Sequence, residues 1–340
     1  MVRQTLLWQS VAQAACRIAL THLDAAHTAH ARLKDGEDAE ALHDFRVALR
    51  RTRSVLRAYR PWLGHIPRKL RRHLRALARA TNVARDTEVM MDWLRVERRK
   101  IRDPHRAGFV WLQALLGDRY EASCDEITRE VLKEFAGMEQ RLRASLTPIA
   151  NADREAAPPA PSYAVITADL IRQHVAELAE HLEDIDSVDD AEMIHAARIR
   201  GKRLRYLIEP LANELPAAEK IVTRMKQFQD RFGVLCDAFV QAREIASAVD
   251  TAGAGIARGK LERALGTGSM GTPTRDVLPG LIALARRLRT ETSRRYAVVE
   301  RHYLGNRARR FLDPFESFAD IVAGQAPSPG VAAVRGWSNR

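Results

Sequence analysis

Two histidines head matching runs of cations along the chain. His43 is followed by Arg46, Arg50, Arg53 and Arg57, and His195 by Arg198, Lys202 and Arg205, each position of the second run lying 152 residues after its counterpart. At roughly 100° per residue on a helix, the first five side chains share a stripe about 80° wide. Downstream, Arg68, Arg72, Arg75 and Arg79 recur at intervals of four, three and four, and the same shift carries them onto Lys220, Arg224, Gln227 and Arg231. A guanidinium fork can hold two oxygens of a phosphate or carboxylate, whereas an ammonium is a point charge. Such stripes therefore suit an oxyanion.

Like charges three and four residues apart on a helix repel by a few tenths of a kcal/mol per pair, so a surface shaped for stability alone would interleave acids. Residues 43–60 hold six arginines and one acid, and residues 68–85 hold seven Lys or Arg and no acid. Because the pattern recurs in both halves, a site for a polyanion explains it better than a solvated charged face. A linear chain of phosphates would meet successive guanidinium groups, each contact raising the effective concentration for the next, and binding would fall steeply with salt as counterions are released.

Among arginines an imidazolium is disfavoured, and a bound polyanion would restore it. His43 and His195 are thus expected to donate hydrogen bonds to phosphate, more strongly at mildly acidic pH; a histidine satisfied in a helix interface is the plainer alternative. Asp86 and Asp237, related by a shift of 151, are expected to orient arginines from neighbouring helices. No catalytic residue, metal or cofactor is expected. Neither stripe histidine has a second His or Cys three or four residues on, and His22, His27 and His30 point in divergent directions on their helix.

The elements that must position these residues read as helices. Ala, Leu, Arg and Glu recur at spacings of three and four while Pro and Gly are sparse, which predicts helices over 4–33, 40–59, 67–81, 85–100, 105–117, 120–146, 163–183, 191–214, 216–232, 236–251, 278–289 and 291–303. Pro148, Pro158, Pro159 and Pro161 mark 147–162 as a linker, and rising Gly, Thr and Pro content marks 253–279 as a partly ordered loop. The expected division is a first helical repeat over 1–150, a linker over 151–162, a second repeat over 163–315 and a tail over 316–340 without packed structure, Pro- and Gly-rich from Gly324.

Composition sets the outer bounds. The 340 residues carry 55 Lys and Arg against 43 Asp and Glu, a net charge of +12, and 46% are hydrophobic, which excludes wholesale disorder. Of the basic residues 47 are arginine and eight lysine. No run approaches the roughly 18–20 apolar residues of a membrane span, so a cytoplasmic protein without membrane partners is expected. Cys16, Cys124 and Cys236 are too few and too far apart for a disulfide framework or zinc motif and read as small buried residues.

The two segments His-x-x-Arg-[Val/Ile]-x-x-[Arg/Lys]-Arg-x-Arg at 43–53 and 195–205, together with Ala84-Arg85-Asp86 and Leu235-Cys236-Asp237, resemble the CHAD family, the conserved histidine α-helical domain. The resemblance spans roughly 4–315. It implies an all-α fold of two pseudo-symmetric four-helix bundles forming one compact domain, with a basic central channel that binds inorganic polyphosphate. It also implies association with polyphosphate granules and with polyphosphate-metabolising or granule proteins. By position it carries the family's histidines to His43 and His195 and its stripe cations to Arg46, Arg50, Arg53, Arg198, Lys202 and Arg205. No Glu-x-Glu-x-Lys signature of the CYTH triphosphatase-type companion domain occurs in the sequence. Two departures stand out. Cys236 precedes the acidic position where the family commonly has a polar residue such as Asn, and Glu209 occupies the place of Arg57, so weaker binding by the second half is expected.

Non-catalytic binding of polyphosphate is the reading that follows, with nucleic-acid binding and polyphosphate turnover as alternatives. Single-strand readers add aromatic stacking platforms, whereas aromatics are 6% of this chain and only Tyr59 and Tyr206 lie near the stripes. Phosphoanhydride chemistry needs clustered carboxylates for Mg²⁺ or a nucleophile with its base. The repeated surface supplies almost only cations.

Overall fold

The structure, a computed structural model, describes residues 5–33, 38–127, 131–152, 161–266 and 276–326. Its regular elements are helical. In chain order they are α1 (Val11–Leu33), α2 (Ala39–Ala58), α3 (Arg68–Ala80), α4 (Asn82–Glu97), α5 (Arg106–Glu126), α6 (Leu132–Ala150), α7 (Tyr163–Glu183), α8 (Ala191–Ile208), α9 (Pro216–Ala264), α10 (Leu278–Tyr303) and α11 (Asn306–Ala323). No described helix is long and apolar enough to cross a membrane.

The two halves use the same order of elements. Helices α1, α2, α5 and α6 have α7, α8, α10 and α11 as counterparts, and α9 alone takes the place of α3 and α4. Each half packs one group of four helices. In the first, α1 lies on α2 and α6, and α3 on α2 and α6; in the second, α7 lies on α8 and α11, and α9 on α8 and α11. Burial explains both. Helix α1 presents Val11, Ala14, Ala15, Ile18, Ala19, Leu23 and Ala26 at helical spacing, and α2 answers with Phe45, Leu49, Val55 and Leu56, all buried. Side-chain caps fix two of the helix starts: Asp38 accepts from the Glu40 amide at 3.0 Å and Ser162 from the Val165 amide at 3.3 Å.

A third group departs from the two-bundle expectation. Helices α4 and α5 pack with the C-terminal part of α9 and with α10, so both halves contribute to one core. Met90, Trp93, Leu94, Phe109, Leu112 and Leu116 meet Ile245, Ala248, Val277, Leu281, Leu284 and Leu288 there. The backbones touch where α5 and α10 begin. A Cβ on Gly108 would stand 2.8 Å from the Gly280 Cα, and a Cβ on Gly280 would stand 2.8 Å from the Gly108 Cα.

Several expected breaks are absent because packing overrides local turn signals. Helix α5 passes through Gly117 with Leu116 buried and ends beyond the 117–120 break; α9 passes through Gly233, which is buried against Arg198; and α10 passes through Thr290, whose hydroxyl donates to the Arg286 carbonyl at 3.1 Å. Helix α9 also covers 253–264, which was expected as loop. The expected linker begins later than 147: α6 continues to Ala150, with Pro148 inside its last turn, because Leu146 and Ala150 are buried and Arg17 Nε donates to the Ala150 carbonyl at 3.1 Å. At the start, α1 begins at Val11 after a short 3-10 turn, Leu6–Trp8, whose Leu6 amide donates to Glu214 at 2.7 Å.

The tail expectation from residue 316 is corrected by α11, which extends to Ala323 and buries Phe318, Ala319 and Val322. The remainder of that expectation, at 327–340, lies outside the described residues, as do 153–160 of the linker and 267–275 of the loop.

Candidate polyanion-binding surface

Helices α2 and α8 bring the two cationic stripes to one place. They run antiparallel past each other, since Arg51 pairs with Glu209 at 3.0 Å while Arg57, further along α2, faces Arg203, further back on α8; Arg50 Nε donates to the Tyr206 hydroxyl at 2.7 Å. The opposite faces, with Phe45 and Leu49 on α2 and Ile194, Ala197 and Leu204 on α8, are anchored in the core. Gly201 lets α8 approach α9, for a Cβ there would meet the Phe228 ring at 2.5 Å.

At the crossing stand Arg46, Arg50, Arg198 and Lys202, all half-buried. Burial, reinforced by the charges of Arg198 and Arg50, drives the Lys202 ammonium down to about 7. Arg46 is drawn down to about 10, first by burial and then by Arg50 and Arg85. Burial is the larger cause in both, and the repulsion that neighbouring cations add marks positive charge that the protein's own carboxylates neutralise only in part. His195 is shifted below its ordinary value by burial and by Arg198, Lys202 and Arg243. His43 is exposed near the start of α2.

The two aspartates sit beside this group. Asp237 lies 3.9 Å from Arg198 Nη2, a long pair consistent with holding that arginine in place. Asp86 makes no such pair among the described residues; its carboxyl is raised chiefly by burial, and Asp237 and Glu244 push in the same direction against the pull of Arg46 and Arg85. Arg46 instead donates to Asn82 Oδ1 at 3.4 Å. Among the described residues no group of three or more His, Cys, Asp or Glu is placed to hold a metal ion.

Away from the crossing the halves diverge. On the first-half side, Arg53 is lowered by burial and then by Arg75, Arg79 and Arg57, so these four form one cluster spanning α2 and α3. Arg72 is exposed on the same helix as Arg75 and Arg79. The second-half counterparts are engaged elsewhere. Arg205 pairs with Glu209 at 3.1 Å. Arg231 donates to the Tyr303 hydroxyl at 3.3 Å, and Arg224 donates to the Arg310 carbonyl at 3.1 Å with its guanidinium over Phe311. Lys220 is exposed near the start of α9.

Among the histidines of α1, His22 is pushed down to about 4 by burial and by Arg51, His27 Nδ1 lies 3.0 Å from Glu139, and His30 is buried between Phe45 and Phe135. Cys16 and Cys236 are buried free thiols raised by that burial to about 12 and about 11, and Cys124 is half-buried. Sequence reasoning missed Asn82, Arg51 and Arg203 as neighbours of the cationic stripes, and it placed Tyr206 near them without its bond to Arg50. The repeat shift was a signal for one of them, because Arg203 stands 152 residues after Arg51.

Fold and surface together define an all-α protein built from two like halves that join their cationic helices. The CHAD domain family profile matches residues 17–246, and the chain belongs to that family. The crystal structure of the CHAD domain from the plant Ricinus communis superimposes with a TM-score of 0.61, covering 90% of this chain and 92% of that one at 18% identity, a likeness of fold. No curated protein matches the chain.

Proposed function

We propose that this protein binds inorganic polyphosphate, without turning it over, on the surface where α2 and α3 meet α8. The observation that carries the reading is the gathering of Arg46, Arg50, Arg198 and Lys202 at the α2–α8 crossing, where burial and then repulsion from Arg198 and Arg50 lower Lys202 to about 7. A flexible polyanion with one charge per phosphate relieves that repulsion at several points at once. The stripes' cations, without a carboxylate cluster among the described residues beside them, favour binding over phosphoanhydride chemistry. Recruitment to polyphosphate granules, or to proteins that make or consume the polymer, is the biological role that such binding would serve.

The test is titration of defined-length polyphosphate over a range of salt. Affinity is expected to fall linearly on a log–log scale, with a slope set by the number of contacts. The double variant Arg50→Ala and Lys202→Ala should weaken binding by about a hundredfold or more, at roughly 1.5–3 kcal/mol for each charge-assisted bond lost, with helical content unchanged. Duplex DNA or RNA displacing polyphosphate at equal phosphate concentration would overturn the reading, as would orthophosphate release on adding Mg²⁺ or Mn²⁺.

A further inference from the structure

The α2–α8 contact is made twice by the pseudo-symmetry, and the two versions differ in charge. Arg51 on α2 pairs with Glu209 at 3.0 Å. The residues at the corresponding positions, 152 later and 152 earlier, are Arg203 and Arg57. Where one version joins opposite charges, the other opposes two guanidinium groups: Arg203 is pulled down to about 10 by burial and then by Arg57 and Arg200, with only partial relief from Glu177.

This broken symmetry extends along the surface. Arg53 and Arg57 lie one turn apart on α2, and Arg75 and Arg79 one turn apart on α3, which packs against α2; the last three all act on Arg53, and Arg203 adjoins them at the symmetry-related position of the Arg51–Glu209 contact. None of these five makes an ion pair among the described residues. Their counterparts are Arg205, Glu209, Gln227, Arg231 and Arg51. Of those, Arg205 and Arg51 share Glu209, Gln227 is neutral and Arg231 is occupied with Tyr303. One side of the surface therefore gathers five positive charges without an ion pair, whereas the counterparts sum to +2 and two of their three arginines share one carboxylate.

A linear polyphosphate is also uneven in charge. Each internal phosphate carries one negative charge, whereas a terminal phosphate carries a second once its weaker acid group ionises, near pH 6 by analogy with a phosphate monoester. A cluster of five cations without an ion pair is matched by the densest anionic group of the polymer. We infer that the cluster of Arg53, Arg57, Arg75, Arg79 and Arg203 holds the terminal phosphate of the chain, so that the polymer is bound from one end with its interior laid over the α2–α8 crossing. This inference rests on the polyphosphate reading and adds a polarity to it.

The experiment compares the full chain's affinity for linear polyphosphate of one defined length with that for the same polymer bearing both ends capped as phosphate esters, which removes the second terminal charge and leaves the interior unchanged. The native protein is expected to bind the open-ended polymer about tenfold more tightly, as for one charge-assisted contact. Arg57→Glu, which rebuilds on the first-half side the ion pair that Glu209 makes on the other, should bind both polymers alike and unfold at no lower temperature than the native chain. Equal binding of capped and open polymer by the native protein overturns end recognition while leaving polyphosphate binding intact. Retention of the preference by Arg57→Glu moves the end site elsewhere and also overturns it, whereas failure of both polymers to bind removes the polyphosphate reading itself.

Discussion

Lys202 is the lysine in a pair of stripes otherwise built from arginine and histidine, and that substitution gives the surface a proton of its own. A guanidinium stays charged throughout the accessible range, but Lys202, at the position equivalent to Arg50, is lowered from 10.5 to about 7, mainly by burial. Between those values the unfolded chain holds a proton that the folded chain has lost, so stability gains with rising pH across that window. A bound polyanion acts in the opposite direction by restoring the ammonium. Polyphosphate binding near pH 8 should take up protons, and affinity should decline from about pH 7 to 9, which calorimetry in two buffers of different ionisation enthalpy measures. Lys202→Arg should abolish the uptake; an unchanged uptake would place the titrating group elsewhere. The stripe itself was legible from spacing alone, since His43 to Arg57 share one helical face. What faces it was not. That Tyr206 receives Arg50, or that Glu209 closes Arg51 and Arg205, depends on how two helices cross, and no local periodicity encodes a crossing.

Helix interiors were easier to read than helix ends. Buried positions such as Phe45, Leu49 and Leu56 recur at helical spacing and identify α2 directly, but Gly117, Gly233 and Thr290 read as breaks and lie within continuous helices. In each case the buried neighbours Leu116, Leu235 and Leu288 keep the apolar face in register, and burying one such side chain contributes roughly 1.5–3 kcal/mol, more than the ~1 kcal/mol helix penalty of a glycine. Other glycines are structural in a way that sequence does not announce. At Gly108 and Gly280 the backbones of α5 and α10 leave no room for a side chain, with the Val277 carbonyl oxygen 2.2 Å from a Cβ built on Gly108 and the His105 carbonyl oxygen 2.4 Å from one built on Gly280. Backbone on both sides cannot rotate away, so Gly108→Ala or Gly280→Ala should destabilise by about 1–3 kcal/mol. Thermal unfolding is the measurement, with Gly253→Ala as the control: it has open space around it and should match or exceed the native stability.

At the scale of the whole molecule, the fold class follows from composition and the duplication from the 152-residue shift, yet neither reveals that the halves share a core. The group formed by α4, α5, α9 and α10 joins Trp93 and Phe109 of one half to Ile245 and Leu281 of the other. Cutting the chain between α6 and α7 should therefore give two fragments that expose this apolar surface and do not fold separately. Circular dichroism and gel filtration of the fragments, alone and mixed, would test this; two independently folded, monomeric halves would contradict it. The glycine contact carries a last consequence. Gly108 is the third residue of α5 and Gly280 the third of α10, so each packs against its own counterpart, as at the axis of a twofold dimer of half-length chains. Joining such partners covalently frees assembly from concentration and from the requirement that both surfaces be identical. Glu209 in the place of Arg57 is a difference that only the joined form permits: in a dimer of identical chains, a residue that neutralises one side of the surface neutralises both.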